Sequence, residues 1–71
     1  MQQGGKYLLF IGNNIRKRRS KSGISQQELA DNSNVAKSTI QRIEKGEMNP
    51  SILTLQSISI ALDIELSELI E

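Results

Sequence analysis

The 71-residue sequence contains no cysteine and no histidine. Without cysteine the chain can form no disulfide and no thiolate, and nothing suggests a secreted framework. Without histidine it lacks the commonest general base and metal ligand. A glycine-rich phosphate loop is also absent, and carboxylates cluster only in the acidic second half. We therefore predict a protein that is not an enzyme, with no metal and no cofactor; no small-molecule ligand is evident.

Long apolar runs are absent as well. The longest, residues 7–11, is too short to span a membrane, and no small-residue cleavage site follows it. We therefore expect a cytoplasmic protein with no membrane partner. A chain of this length forms one domain that buries only roughly 60% of its unfolded surface, so compact helices or an oligomeric partner must stabilise it.

Charge is distributed unevenly, although the net charge is only +1. Residues 1–45 hold all nine Lys and Arg against three acids, a net charge of +6, whereas residues 46–71 hold five acids and no cation, a net charge of −5. The alternative interpretation is that the cationic and acidic residues only form two solvent-exposed faces and bind no partner. The asymmetry favours an anionic partner for the first part of the chain.

Residues 26–45 have the pattern of two short helices joined by a tight turn. Ser25 is a suitable N-cap for the first helix, and Glu28 completes a capping box. Asn34 tolerates the left-handed conformation that such a corner requires. The segment therefore predicts a helix-turn-helix motif.

The second helix of this motif, expected from Ala36 to about Lys45, has two contrasting sides. Ile40 and Ile43 lie three residues apart on the side that faces the core. The other side carries only hydrogen-bond donors and no acid: Lys37, Ser38, Gln41, Arg42 and Lys45. A helix face of amide, hydroxyl and cationic groups suits a nucleic acid.

The flanking segments predict three further helices, so the expected fold class is all-α with five helices. Residues 1–6 are expected to form a disordered tail, with helix 1 beginning near Gly12 inside the domain of residues 7–71. A fourth helix is predicted from Ile52 to Leu62. Its core face should consist of Ile52, Leu55, Ile58, Ser59 and Leu62. A short fifth helix should contain Ile64, Leu66 and Leu69.

The arrangement of these residues resembles that of the lambda-repressor-like, XRE/Cro-type helix-turn-helix regulators of phages and bacteria. The matching positions are Ile15-Arg16, Arg19, Gly23, Ser25 to Ala30, Val35, Ser38 to Ile40, Arg42 to Glu44, Gly46, Pro50-Ser51, Leu55, Ala61-Leu62, Leu66 and Glu68-Leu69. A similar apolar lead-in occurs in the small controller proteins of restriction-modification systems. Four positions depart from the family pattern: Ser33, Asn34, Ala36 and Glu65.

The resemblance implies a sequence-specific regulator of transcription that binds double-stranded DNA in the major groove. Base readers would be Lys37, Ser38, Thr39, Gln41 and Arg42, and phosphate contacts would come from Gln26, Lys45 and Arg16. Arg19 and Glu44 would form a structural ion pair where helix 1 meets the end of the recognition helix. Repression and activation both remain open. The alternative function is a protein-interaction module such as an antitoxin.

Two aliphatic residues on helix 4, Leu53 and Ile60, lie nearly opposite its core face. The family commonly has polar residues there. With Ile64 and Ile70, and with residues 7–10 as an extension, they predict a homodimer interface for binding a palindromic operator. The alternative explanation is that these aliphatic side chains only cover a loop of their own chain.

Overall fold

The computed structural model describes residues 2–71, with side chains from residue 5 onward. All regular structure within this range is helical, which confirms the predicted all-α class. The five helices are α1 (Gln2–Ser22), α2 (Gln26–Ser33), α3 (Lys37–Glu44), α4 (Ile52–Ala61) and α5 (Ser67–Ile70). The 21 residues of α1, at about 1.5 Å rise per residue, make this helix about as long as the molecule's longest dimension of 31 Å.

Helix α1 begins much earlier than expected, so the predicted start near Gly12 is wrong. Residues 2–6, expected to be a disordered tail, belong to α1, and Met1 lies outside the described residues. Gly12 serves a different purpose inside this helix. A Cβ atom there would lie 2.3 Å from the carbonyl oxygen of Ile43 and 2.8 Å from that of Glu44. Glycine therefore permits the close crossing of α1 and α3.

One apolar core joins all five helices. Its members are Ile11, Ile15, Leu29, Ala30, Ile40, Ile43, Leu55, Ile58, Leu62 and Leu69. Helix α1 packs against α3 on one side and α5 on the other, while α2 packs against both α3 and α4. Because α3 is held by two neighbouring helices, its remaining side is left facing outward.

The turn of the motif has the predicted local structure. The Ser25 hydroxyl accepts a hydrogen bond from the Glu28 N–H at 3.0 Å, and the Glu28 carboxylate accepts one from the Ser25 N–H at 2.8 Å. Asn34 has a φ of 58°, so it ends α2 in the left-handed conformation. Ala36 occupies the N-cap position of α3 without a side-chain hydrogen bond. The capping box and the left-handed corner are confirmed.

Two predictions for the C-terminal part need correction. Ile52 is 58% exposed although it lies only about 20° around α4 from the buried Ser59, because it is the first residue of the helix and lies beyond the end of the packed strip. The fifth helix is shorter than expected, since Ile64 and Leu66 precede it. Asp63, with a φ of 58°, turns the chain out of α4. Ile64 and Leu66 then cover the core from this turn instead of from a helix.

Candidate nucleic-acid interface

The outward side of α3 is polar and cationic. Lys37, Ser38, Arg42 and Lys45 are exposed and Gln41 is half-buried, whereas Ile40 and Ile43 on the opposite side are fully buried. At about 100° per residue, the five polar side chains fall within one arc of about 140°. Thr39, the remaining predicted base reader, is half-buried on the flank of the helix, about 60° beyond Arg42. The structure thus places five of these donors on one side of α3.

The C-terminal end of α3 is fixed by an ion pair to α1. Arg19 Nε donates to Glu44 Oε2 at 2.7 Å, and Arg19 Nη2 donates to Glu44 Oε1 at 3.1 Å. A third bond joins Arg19 Nη1 to the Ile24 carbonyl at 3.0 Å. Only 16% of the Arg19 side chain and 4% of the Glu44 side chain are exposed. The hydrogen bond to the Glu44 carboxylate raises the pKa of Arg19 above its usual value.

Glu44 also contacts the first residue of α2. Gln26 Nε2 donates to Glu44 Oε1 at 3.1 Å, and the Gln26 side chain is half-buried. An amide nitrogen carries two hydrogens, so one remains for another acceptor. Sequence reasoning assigned Gln26 to phosphate and did not foresee this bond. The bond fixes the side chain between the two helices of the motif.

Arg16 and Lys45 are the other two predicted phosphate contacts. Both side chains are exposed, and Arg16 Nη2 donates to Asn13 Oδ1 at 3.2 Å within α1. Lys45 follows the last residue of α3 as its C-cap. Arg16 lies on α1 about 40° from Gly12, which faces α3. Lys45 therefore continues the polar side of α3, and Arg16 lies on α1 close to where this helix crosses α3.

Helix α4 carries a second exposed surface, which is aliphatic. Leu53 is 76% exposed and Ile60 is 67% exposed, about 20° apart around the helix, and Ile52, which is 58% exposed, lies about 80° from Ile60 at the start of the helix. We call these three residues the α4 apolar surface. Sequence reasoning missed Ile52 because it assigned that residue to the core. Ile64 and Ile70, also predicted to lie in an interface, are half-buried against the core of their own chain.

An acidic cavity adjoins this surface. It has a volume of about 300 Å³ and is lined by Ile60, Asp63, Ile64, Glu65 and Glu68. The Glu65 N–H donates to Glu68 Oε2 at 3.0 Å, and Arg18 forms an ion pair with the same carboxylate. The Glu65 N–H, and to a smaller degree Arg18, lower the pKa of Glu68.

Three contacts from α1 fasten α5, and sequence reasoning foresaw none of them. The Tyr7 hydroxyl donates to the Ile70 carbonyl at 2.7 Å, Asn14 Nδ2 donates to the Leu69 carbonyl at 2.9 Å, and Arg18 pairs with Glu68. The Tyr7 ring also stacks on Phe10 with centroids 6.0 Å apart.

No helix within residues 2–71 is long and apolar enough to cross a membrane.

Comparison with known proteins identifies the family. Residues 15–69 match the family model described as "Helix-turn-helix". The chain is 42% identical over 63 residues to the HTH-type transcriptional regulator SlrR of Bacillus subtilis (strain 168), across 87% of this chain and 41% of SlrR. It is 39% identical over 63 residues to SinR of the same organism, across 87% of this chain and 57% of SinR. The chain thus spans about half the length of these relatives.

Solved structures agree with this assignment. The restriction-modification controller protein C.AhdI from Aeromonas hydrophila superposes with a TM-score of 0.86 at 35% identity, covering 87% of this chain and 94% of C.AhdI. SinR in complex with DNA superposes with a TM-score of 0.83 at 39% identity, covering 86% of this chain and 98% of that chain. The chain therefore belongs to the helix-turn-helix family of XRE-type regulators.

Proposed function

We propose that this chain is a sequence-specific transcriptional regulator that binds a palindromic operator in double-stranded DNA as a homodimer. The observation that carries the DNA-binding part is the outward side of α3, where five donor side chains lie together without an acid. The crystal structure of SinR with DNA supports it, because that chain has the same fold at 39% identity. Helix α3 would enter the major groove with its N-terminal residues nearest the bases.

Some of the donor side chains would contact bases and others would contact phosphates. Lys37, on the first turn of α3, would donate to guanine O6 and N7, and Ser38 and Arg42 would complete the base readout. Gln41 would read a base or bind a phosphate, and Thr39 would do so from the flank. Phosphates would be held by Lys45, Arg16 and Gln26, which lies at the N-terminus of α2, where free N–H groups and the helix dipole assist.

Lys37→Ala tests the base-reading role. Once selection from random-sequence DNA has defined the operator, the variant should lose about 1–3 kcal/mol of binding free energy and relax selectivity at one base pair. Fluorescence anisotropy against single-base operator variants measures both effects. Lys17→Ala is the matched control, because Lys17 is exposed about 140° around α1 from Gly12, which faces α3. Equal weakening on every sequence, with a smaller salt dependence, would reassign Lys37 to phosphate.

The α4 apolar surface supports the homodimer. Burying an aliphatic side chain contributes about 1.5–3 kcal/mol relative to leaving it exposed, and a small domain has little reason to leave three such residues on one helix in water. A two-fold axis beside α4 would keep the acidic residues 46–71 away from phosphate. It would set the two α3 helices for half-sites about 34–36 Å apart. Ile64 and Ile70, which are half-buried in their own chain, would contribute the exposed parts of their side chains to this interface.

Leu53→Glu combined with Ile60→Lys tests the dimer. Charges at both positions should oppose burial in an interface, so the variant should sediment as a folded monomer at micromolar concentration and bind the operator much more weakly. Circular dichroism confirms folding. Ser20→Glu with Ser22→Lys places the same two charges on exposed positions of α1 and should leave the oligomeric state unchanged. A wild-type protein that is monomeric both free and on DNA would contradict the homodimer.

A further inference from the structure

The acidic cavity and the α4 apolar surface share a residue. Ile60 belongs to both, so Asp63 and Glu65 lie at the border of the aliphatic side chains proposed to be buried in the dimer. Glu68 is paired with Arg18, but neither of the other two carboxylates belongs to an ion pair among the described residues. Both residues are exposed. Each protomer therefore carries two uncompensated negative charges beside the proposed interface.

A two-fold interface brings identical surfaces together, so a charge near the axis meets the same charge of the partner. Residues 46–71 contain no Lys or Arg that could reach across and neutralise Asp63 or Glu65. Among the side chains of residues 5–71, the only cation paired with a residue of the cavity is Arg18 of α1, which is engaged by Glu68. Association of two copies through α4 would therefore bring like charges close together.

From this arrangement we infer that formation of the homodimer is opposed by repulsion between the two acidic cavities, so that dimerisation strengthens as salt concentration rises. This inference rests on the proposed function, because it takes α4 as the dimer interface. Charges separated by on the order of 10 Å repel one another at low salt and are largely screened near 1 M. Contact with DNA responds in the opposite direction, since salt weakens phosphate binding.

The two opposite salt effects have a joint consequence for operator binding. At protein concentrations where monomers predominate, added salt raises the fraction of dimers while it weakens each DNA contact. Operator affinity should therefore fall less steeply with salt for dilute protein than for protein concentrated enough to be fully dimeric. The acidic cavity would thus adjust DNA binding without touching DNA.

Sedimentation equilibrium of the DNA-free protein tests the inference directly. Between about 50 and about 500 mM NaCl, the dimer dissociation constant of the wild-type protein should fall about five- to tenfold. Asp63→Asn with Glu65→Gln removes the two uncompensated charges while preserving shape, and Asn tolerates the left-handed backbone at position 63. This variant should dimerise more tightly than the wild type at low salt. Its dimer dissociation constant should change less than about twofold over the same range of NaCl concentration.

A matched control separates local repulsion from net charge and from the general effect of salt on apolar burial. Asp31→Asn with Glu47→Gln makes the same change in net charge at two exposed residues outside the cavity. It should keep the salt dependence of the wild type. A wild-type dimer that weakens with salt, or a cavity variant with the same salt dependence as the wild type, overturns the inference but leaves the homodimer intact. A protein that forms no dimer at any salt concentration overturns the proposed homodimer as well.

Discussion

The Gly12→Ala variant is expected to be less stable than the wild type by about 2–3 kcal/mol, although alanine is intrinsically the better helix former by about 1 kcal/mol. The added methyl group would lie 2.3 Å from the Ile43 carbonyl oxygen. Because that oxygen belongs to the backbone of α3, only a separation of α1 from α3 relieves the contact. Urea unfolding followed by circular dichroism measures the change, with the operator affinity expected to fall in parallel.

Gly5→Ala provides the matched control in the same helix. A Cβ atom at position 5 has no neighbour within 4 Å, so this variant should gain about 0.5–1 kcal/mol from helix propensity alone. Opposite signs for the two substitutions would identify the close crossing as the cause. A gain in stability for both variants would contradict the packing of α1 on α3 described above.

The second large effect is expected at the buried ion pair. Glu44→Ala leaves the Arg19 guanidinium largely buried with only the Ile24 carbonyl as a partner, and it removes the acceptor of Gln26. Breaking a fully buried pair costs about 3–5 kcal/mol, and the residual 16% exposure of Arg19 reduces this to about 2–4 kcal/mol. Thermal and urea unfolding of the variant measure the loss.

A double-mutant cycle separates this pair from the rest of the core. Arg19→Met with Glu44→Leu replaces both charges by apolar side chains, so the double variant should be more stable than the sum of the two single changes predicts. Arg18→Met breaks the solvent-exposed pair with Glu68 and should have a much smaller effect. Additive losses at residues 19 and 44 would show that the two charges do not interact in solution.

The parts of the fold that sequence predicted well are those fixed by local chemistry. A hydroxyl and a carboxylate three residues apart form the capping box of α2 within one turn of helix. Asn34 adopts the left-handed conformation because its short polar side chain tolerates it. The polar side of α3 followed from helical periodicity once Ile40 and Ile43 were placed in the core.

The features that sequence did not predict depend on contacts between distant segments. Glycine commonly interrupts a helix, yet Gly12 lies within α1, and the reason for a glycine there is the close backbone of α3, which no local pattern reveals. Periodicity assigned Ile52 to the core, but the reach of the neighbouring helices decides where the buried strip of α4 ends. The bonds of Gln26 to Glu44 and of Tyr7 to Ile70 join residues that no local pattern connects.

The attachment of α5 to α1 has a consequence for biosynthesis. The three contacts between these helices join residues 50, 55 and 63 positions apart, so they connect the helix of this domain that is synthesised first with the helix that is synthesised last. Until Leu69 emerges, the apolar side of α1 lacks the residue that completes its burial in the finished core. The nascent chain must therefore hold a long amphipathic helix without its final packing partner. Closure of the domain should therefore follow the emergence of α5 from the exit tunnel.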